Sequence, residues 1–339
     1  MADTEKIEIT DGILKGTTWS TVQKIIRSGI NTVGDLARQV PSQLAEQSGV
    51  GVDTCEKYIS IALEMISEGV ITAEQYWEKI KNRRKLTTGS TAVDEILRSD
   101  DDRERGVPGG IEAQVITEVA AKKGMGKTQL MHMLAVNAQL PVEHGGLGGT
   151  VAWIDTENTF RPDRIAQICK HRGYDETKML RGIFYEKVYS SEHQLLIISK
   201  LPKLCYDHNI KLVIVDSMIA QMRSEYIGRE MLARRQQLLG DILERLSKIS
   251  QSHGLTVIYT NQVMDKPTPY GDPVEAVGGN IMGHKAVLRL FIRQGRQGAR
   301  IMRVTKSPYL PEYEAQFIIT EAGIEDAPSK KEKREDIPE

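Results

Sequence analysis

A glycine-rich segment in the first half of the chain contains the residue types that bind phosphate groups. It consists of Ala121, Lys122, Lys123, Gly124, Met125, Gly126, Lys127 and Thr128. Small residues let backbone N–H groups surround phosphates, while Lys127 supplies a point charge and Thr128 a hydroxyl ligand for Mg²⁺. A predicted strand precedes the segment and a predicted helix, 129–139, begins with Gln129, as a phosphate-binding loop requires. We therefore predict a nucleoside triphosphate site, the alternative being a chance glycine-rich turn.

The ends of later apolar runs offer the other groups that hydrolysis needs. The run 212–216 ends in Asp216, a candidate ligand for Mg²⁺, although such an Asp also occurs as a simple helix cap. Glu157 lies just beyond the run 151–155, where it could orient or deprotonate water; the alternative is a solvated loop carboxylate. A third run, 255–260, leads to Gln262, whose amide could sense the terminal phosphate.

The alternation of these β-branched runs with amphipathic helical patterns predicts the fold class. It indicates an α/β core with a mostly parallel sheet flanked by helices. The last runs, 287–293, 301–305 and 316–320, have no helices between them and are predicted to be antiparallel strands at one edge. The segment 99–105 is so charged that we expect a surface loop there, before a first core strand near 113–119.

The rest of the chain divides by composition. Residues 1–68 have helical spacing broken by glycines and predict a small helical domain, whose Gly49 and Gly51 are compatible with a helix-hairpin-helix or with a plain turn. Residues 69–86 are predicted to be a linker and residues 87–327 the core. The charged tail, 328–339, is expected to be disordered.

Composition limits the functions that the chain could have. With 339 residues and a formal charge of -1, it has no general attraction to nucleic acid, so such binding must come from local clusters of Lys and Arg. Its 3 cysteines, far apart, give neither a disulfide framework nor a metal-binding spacing. No segment has the apolar length of a signal peptide or membrane span, so we expect no membrane partner and a cytoplasmic location, or a nuclear one in a eukaryote.

Further motifs follow the phosphate loop in order: WIDTENTFRP at 153–162, NQVM at 261–264, AVGG at 276–279 and LPE at 310–312. With them the chain resembles, from about residue 10 to residue 327, the family of archaeal RadA and eukaryotic recombinases. This resemblance implies a RecA-like ATPase core behind a small all-helical N-terminal domain. It also implies a DNA-dependent ATPase that uses ATP and Mg²⁺, forms filaments on single-stranded DNA and catalyses homologous pairing and strand exchange with duplex DNA in recombinational repair.

The resemblance also assigns roles to residues of the nucleotide site. Glu157 corresponds to the catalytic carboxylate, Arg164 to the side chain that stacks on adenine, and Gln262 to the switch amide. His284 corresponds to a histidine that reads the nucleotide state. Pro311 belongs to a cap that a neighbouring subunit places over ATP.

Two segments correspond to the DNA-binding loops of the family. The first contains Arg223, Arg229 and Arg235, which could alternatively be a solvated helix face, since acidic residues are interspersed. The second, 264–283, contains Val277, Gly278 and Gly279. Residues 289–306 hold Arg and Lys with no acidic residue, so part of them could form a basic stripe on a strand face.

Two departures from the family pattern suggest hypotheses. The family inserts a Phe and an Ala into the adjacent subunit, whereas this chain has Val70 and Ala73, and Val buries less area than Phe. We expect a looser joint, with Tyr76 or Trp77 compensating. Lys306 stands where the family has an Asp that holds a monovalent cation near the γ-phosphate. Its ammonium could replace that cation; the alternative is a lysine that points into solvent.

Two other classes of function share part of the pattern. A recombinase paralogue would use ATP to regulate another filament without exchanging strands. A ring helicase shares the phosphate loop and Asp216 but not the segments at 276–279 and 310–312. We expect a filament or ring of identical subunits, with recombination mediators as further partners.

Overall fold

The N-terminal part of the chain is helical, as its apolar spacing predicted. The computed structural model describes residues 5, 7–14, 18–67, 69–265, 274–276, 282–283 and 285–328. The first helices are Trp19–Arg27 (α1), Val33–Ala37 (α2), Pro41–Ser48 (α3) and Val52–Ile66 (α4). Their apolar faces enclose a core of their own that includes Leu14, Ile25, Leu36 and Tyr58. Between α3 and α4, Gly49 has a φ of 67°, a conformation that glycine adopts without strain.

The stretch 69–86, predicted to be a linker, contains a helix and a short strand. Helix Ala73–Ile80 (α5) begins with a capping box, in which the side chains of Thr72 and Gln75 accept each other's backbone N–H. Strand Lys85–Leu86 (β1) then pairs antiparallel with Ile111–Glu112 (β2). The stretch therefore contains regular structure, and its last two residues pair with a strand of the predicted core.

In the core, strands and helices alternate. The helices are Thr91–Ile96 (α6), Asp100–Glu104 (α7), Lys127–Asn137 (α8), Pro162–Arg172 (α9), Glu176–Arg181 (α10), Ser191–His208 (α11), Ala220–Glu225 (α12) and Leu232–His253 (α13). The strands after β2 are Ile116–Ala121 (β3), Thr150–Asp155 (β4), Ile183–Lys187 (β5), Ile210–Asp216 (β6), Thr256–Asp265 (β7), Val274–Ala276 (β8), Leu288–Gln294 (β9), Arg300–Lys306 (β10), Glu314–Thr320 (β11) and Gly323–Asp326 (β12).

The main sheet has the order β12-β11-β10-β9-β3-β7-β6-β4-β5, with β8 paired to β7 outside this path. Strands β3 to β7 run parallel, and β10, β11 and β12 form the antiparallel edge that the sequence predicted. The prediction was wrong for β9, which pairs parallel with β3 and antiparallel with β10. Parallel neighbours need a long crossover connection, and residues 122–287, which lie between β3 and β9 in the sequence, provide that length.

Alternate residues of the strands pack into two hydrophobic cores, one on each face of the sheet. Trp153 and Ile214 join α8 and α9 on one face, whereas Ile154 and Val215 join α11 and α13 on the other. Because both faces are covered, these strands read as continuous apolar runs in the sequence. The parallel α/β core predicted from those runs is therefore confirmed.

The charged segment 99–105 is not the predicted surface loop. It folds into α7, because Ser99 and Asp102 form a capping box. Asp102 is buried and pairs with Lys85 at 3.2 Å, while Arg105 lies over the ring of Trp77 at 5.9 Å. The first strand of the main sheet, β3, spans Ile116–Ala121 and so begins slightly later than the predicted 113–119.

A half-buried carboxyl group holds the turn at the start of the core. Asp94 on α6 accepts hydrogen bonds from the Thr88 N–H at 2.8 Å and the Thr88 hydroxyl at 2.7 Å. The carbonyl oxygen of Thr87 in the same turn accepts from Asn137 on α8, at 2.9 Å. Burial raises the pKa of Asp94 from 3.8 to about 6, although the hydrogen bonds from Thr87 and Thr88 lower it.

Replacement of Asp94 by Asn should make the pH dependence of stability shallower. Because the folded-state pKa is raised, this carboxyl stabilises the fold most when protonated and loses that contribution as the pH rises from about 4 to about 6. The free energy of unfolding of the native chain relative to Asp94→Asn should therefore fall across this window in urea titrations. Asp11→Asn, at an exposed position, is the control; a constant difference between native and Asp94→Asn would contradict the prediction.

Candidate functional site

The carboxyl ends of the central parallel strands place the predicted chemistry at one edge of the sheet. In the strand register, Asp155 of β4 lies opposite Asp216 of β6, and Ala121 of β3 lies opposite Gln262 of β7. Ligands of open parallel sheets bind at this edge, beyond the strand ends. Four separate motifs of the sequence thus meet at a single site.

The backbone of the phosphate loop explains which of its positions must be glycine. Gly126 has a φ of 100°, and a Cβ atom there would come within 2.5 Å of Ile319. Ala121, by contrast, is the last residue of β3 and its φ is not positive, so its methyl group costs nothing. The departure from Gly at Ala121 therefore leaves the loop intact, and Lys122 and Lys123 are exposed beside it.

Lys127 and Thr128 open α8 and face the other strand ends. The Lys127 ammonium donates to the carbonyl oxygens of Ala121 and Lys122, at 3.1 and 3.3 Å. Burial lowers the pKa of Lys127, while the charges of Asp216 and Glu157 raise it. The Thr128 hydroxyl donates to the Asp216 carboxylate at 2.7 Å. The loop is thus joined directly to β6.

Asp216 is a buried carboxylate shared by several elements. It also accepts hydrogen bonds from the hydroxyl of Thr159, at 3.3 Å, and from that of Thr260. Burial raises the pKa of Asp216, and the hydrogen bonds from Thr260 and Thr128 lower it. Thr128 and Asp216 fit Mg²⁺, because this ion takes oxygen ligands and needs only one or two protein groups beside phosphates and water. Among the described residues there is no group of three or more His, Cys, Asp or Glu side chains that could hold a metal ion.

Glu157 contacts two neighbouring strand ends. One of its carboxylate oxygens accepts from the hydroxyl of Ser217, at 2.6 Å, and from the amide of Gln262, at 3.1 Å. The Gln262 carbonyl oxygen in turn accepts from the guanidinium of Arg223, at 3.3 Å. The amide of Gln262, the predicted switch residue, therefore links the carboxylate to an arginine of the first predicted DNA-binding loop.

The sequence analysis did not identify the residues that hold the candidate site in place through hydrogen bonds, namely Asp155, Ser217 and Thr260. Asp155 accepts the backbone N–H groups of Glu157, Thr159 and Phe160 at 3.0, 3.2 and 3.0 Å. An Asp at a strand end followed by Thr and Asn is a turn signal that could have identified it. Ser217 and Thr260 had no such signal, because their partners lie far away in the sequence.

Arg164, the predicted adenine-stacking residue, is held by hydrogen bonds on several sides. Its guanidinium donates to Gln129 at 2.7 Å, to Gln167 at 2.5 Å, and to the carbonyl oxygens of Thr320 and Glu321 at 2.5 and 3.0 Å. The plane of the group is fixed against α8 and the turn after β11. Gln129 and Arg164 thus lie together, next to the phosphate loop.

Lys306 does not point into solvent. Its ammonium donates to the carbonyl oxygens of Gly283 and Ala286, at 2.6 and 2.9 Å. Burial lowers its pKa, with a further lowering from the charge of Arg289. Gly283 is the last residue of the second predicted DNA-binding loop, and Ala286 lies just after it. Pro311 is exposed and lies in the connection between β10, which ends at Lys306, and β11.

The basic residues differ in how far neighbouring charges neutralise them. In the predicted first DNA-binding loop, Arg223 and Arg229 are exposed and Arg235 is half-buried. The stripe expected over residues 289–306 does not form. Arg293 pairs with Glu314 at 2.9 Å and Arg303 with Glu312 at 2.6 Å, because β11 and the preceding loop supply carboxylates across from β10 and β9. Neighbouring segments thus neutralise arginines that look unopposed along the sequence.

Some of the predicted residues lie outside the described part of the chain. They are His284, Val277, Gly278, Gly279 and the tail 329–339. The predicted oligomerisation residues are described: Val70 is fully exposed and Ala73 begins α5. Tyr76 and Trp77 follow on α5 with exposures of 51% and 41%. Within the described residues, the helices are too short or too polar to cross a membrane.

Comparison with known proteins agrees with the geometry of the site. The model of the Rad51 family matches residues 79–327, which include every strand of the main sheet. The "DNA repair and recombination protein RadA" of Aeropyrum pernix is 39% identical over 320 residues, covering 94% of this chain and 97% of that protein. The similarity therefore extends beyond the ATPase core into the N-terminal helices. This chain belongs to the Rad51 family.

Proposed function

We propose that this protein is a DNA-dependent ATPase that forms filaments on single-stranded DNA and exchanges strands with homologous duplex DNA. The observation that carries the proposal is the contact of 3.1 Å between Gln262 and Glu157. It joins the carboxylate suited to orient water to the strand that leads into the second predicted DNA-binding loop. Hydrolysis and DNA binding then share one hydrogen-bonded unit, as a DNA-dependent ATPase needs.

The nucleotide site is proposed to work through the groups at the strand ends. The backbone of 121–128 and Lys127 hold the phosphates of ATP, while Gln129 and Arg164 lie beside the adenine. Thr128 and Asp216 would hold Mg²⁺, which neutralises charge on the phosphates. Glu157, fixed by Ser217 and by the turn around Asp155, orients the attacking water.

DNA binding is proposed to influence the nucleotide site through Arg223. The guanidinium of Arg223 donates to the carbonyl oxygen of Gln262, at 3.3 Å, and so fixes the direction of the amide that contacts Glu157. A DNA phosphate that captures Arg223 would release the amide. Arg229, Arg235 and the segment with Val277, Gly278 and Gly279 would supply further contacts. Since such contacts are mainly to phosphates, binding should be salt-sensitive and largely independent of sequence.

The interface between subunits is proposed to complete the site. His284 would read the nucleotide state, and Pro311 of the adjacent subunit would cover ATP. Lys306 already supplies a positive charge to the carbonyl groups of Gly283 and Ala286, where a cation would otherwise be needed. Val70 and Ala73 would bind the next subunit, in a filament or a ring. Recombination mediators are the other partners that we propose.

We propose the same division of the chain as its composition suggests: residues 1–68, 69–86 and 87–327, with 328–339 as a tail. A paralogue that regulates another filament is less well supported, because the RadA relative is similar over nearly its whole length, including the N-terminal helices. A ring helicase is disfavoured by the Rad51 family match over 79–327. A strand-exchange assay separates the three readings, since they give joint molecules, no product and unwound duplex respectively.

Glu157→Gln should abolish most ATP hydrolysis but leave ATP binding and joint-molecule formation. Loss of a general base lowers turnover by about 10²- to 10⁴-fold, whereas the amide keeps the size of the side chain and its contact with Ser217. Phosphate release with single-stranded DNA measures the first effect, and a strand-exchange assay the second. Glu186→Gln, on the exposed part of β5, is the matched control. Native turnover in Glu157→Gln would refute the role of this carboxylate.

The ATPase activity of the native protein should change little when K⁺ is replaced by choline at constant chloride. We propose that the Lys306 ammonium, which donates to the Gly283 carbonyl oxygen at 2.6 Å, takes the place of the cation, so that no free ion is required. Lys306→Asp should acquire a requirement for K⁺, while Lys200→Asp at an exposed position should not. A strong K⁺ dependence of the native enzyme would contradict this interpretation of Lys306.

Val70→Phe should lengthen or stabilise the oligomers seen in sedimentation. Val70 is fully exposed in the isolated chain, and a phenylalanine there offers more apolar area to an adjacent subunit. Val52→Phe, at another exposed valine, controls for nonspecific association. An unchanged distribution for Val70→Phe would remove this position from the proposed interface.

A further inference from the structure

A buried histidine lies between the phosphate loop and the segment that carries Glu157. His132 is on α8, one turn after Thr128, and is 1% exposed. Its Nδ1 atom is 2.7 Å from the Thr128 carbonyl oxygen, and its Nε2 atom is 3.0 Å from the backbone nitrogen of Arg161. The imidazole therefore connects the first turn of α8 to the end of the segment 156–161.

These two contacts fix the proton on the ring. A carbonyl oxygen can only accept, so Nδ1 carries the hydrogen and donates to Thr128. The N–H of Arg161 can only donate, so Nε2 is unprotonated and accepts. The ring is thus a neutral imidazole in one tautomer. Burial also lowers the pKa of His132 to about 4.

Aromatic side chains hold the ring in this orientation. Phe160 stacks on it with ring centroids 5.7 Å apart and an interplanar angle of 12°. Trp153 of β4 packs at 4.9 Å, and Phe160 continues the stack to Tyr185 at 5.0 Å. The ring cannot rotate without disturbing these contacts, so both hydrogen bonds persist together.

The segment 156–161 is held at its two ends by different side chains. At the start, Asp155 accepts the N–H groups of Glu157, Thr159 and Phe160, which fixes the segment to its own strand. At the other end, His132 fixes Arg161 to the helix that begins with Lys127 and Thr128. Glu157 is thereby positioned relative to the groups that hold the phosphates.

We propose that His132 is a positioning residue for ATP hydrolysis, which sets the place of Glu157 relative to the phosphate loop. The inference rests on the proposed role of Glu157. His132 touches no group that reacts, so its effect must act through Glu157. It should therefore influence the rate of the chemical step more than the affinity for ATP.

Three substitutions separate the contacts of the ring. In His132→Asn the amide NH₂ can replace the donor at Nδ1, but nothing accepts from Arg161. In His132→Gln the longer amide can place its oxygen at the position of Nε2 and accept from Arg161. His132→Phe keeps the aromatic stack and loses both hydrogen bonds. The contact with Arg161 is therefore present in the Gln variant and absent from the other two.

The test measures ATP hydrolysis by the full chain with single-stranded DNA, together with the thermal midpoint of each variant. We expect kcat to fall by about 10- to 100-fold in His132→Asn and His132→Phe, the size of effect that a displaced catalytic group gives, with little change in KM. His132→Gln should recover most of the lost kcat. If kcat instead falls only in proportion to the thermal midpoint, or if KM rises at constant kcat, the histidine is only part of the hydrophobic core.

A double substitution tests whether the effect passes through Glu157. In the Glu157→Gln background, His132→Asn should lower the residual turnover no further, because the group that it positions is already removed. Multiplicative losses would overturn the inference. If Glu157→Gln itself hydrolyses ATP at the native rate, the proposed function of that residue fails instead, so the two failures are distinguishable. Should the Asn variant not fold, His132→Phe serves in the same cycle.

Discussion

The arrangement of the site depends on one buried carboxylate, Asp216. It is 2% exposed and accepts hydrogen bonds from the hydroxyl groups of Thr128, Thr159 and Thr260, which belong to α8, the segment after β4, and β7. A buried charge is tolerated only when such donors compensate for the lost solvation. The need to satisfy this carboxylate therefore draws the phosphate loop and the neighbouring strand ends to one point.

A second buried carboxylate, that of Glu118, connects strands next to the phosphate loop. Glu118 of β3 is fully buried and accepts from Asn261 of β7 at 2.7 Å and from Arg289 of β9 at 2.5 Å. It joins the strands on both sides of β3, and Arg289 lies close enough to Lys306 to lower its pKa. The polar interactions of the core thus continue from β3, which leads into the phosphate loop, to the end of the second predicted DNA-binding loop.

Much of the core could be predicted from local patterns. Strands β4, β6 and β7 follow from apolar runs, and the loop from 121 to 128 follows from its glycines and its position between a strand and a helix. The prediction of a surface loop over 99–105 was wrong, because composition alone does not show that Ser99 caps a helix. Nor does it show that Asp102 forms an ion pair with Lys85. The basic stripe failed for a similar reason: Glu312 and Glu314 belong to a later segment.

The sequence by itself determined the chemistry of this protein. Glu157, Asp216 and Gln262 could be chosen because strand ends, residue types and motif order are local properties of a chain. The tertiary structure decided which of these groups touch, through long-range pairs such as Gln262 with Glu157 and Thr128 with Asp216. It also decided the contacts of His132 and Lys306. Their partners include backbone groups that are distant in the sequence and are brought close by packing. The residues next to His132 and Lys306 in the sequence therefore predict neither these hydrogen bonds nor the burial of the side chains.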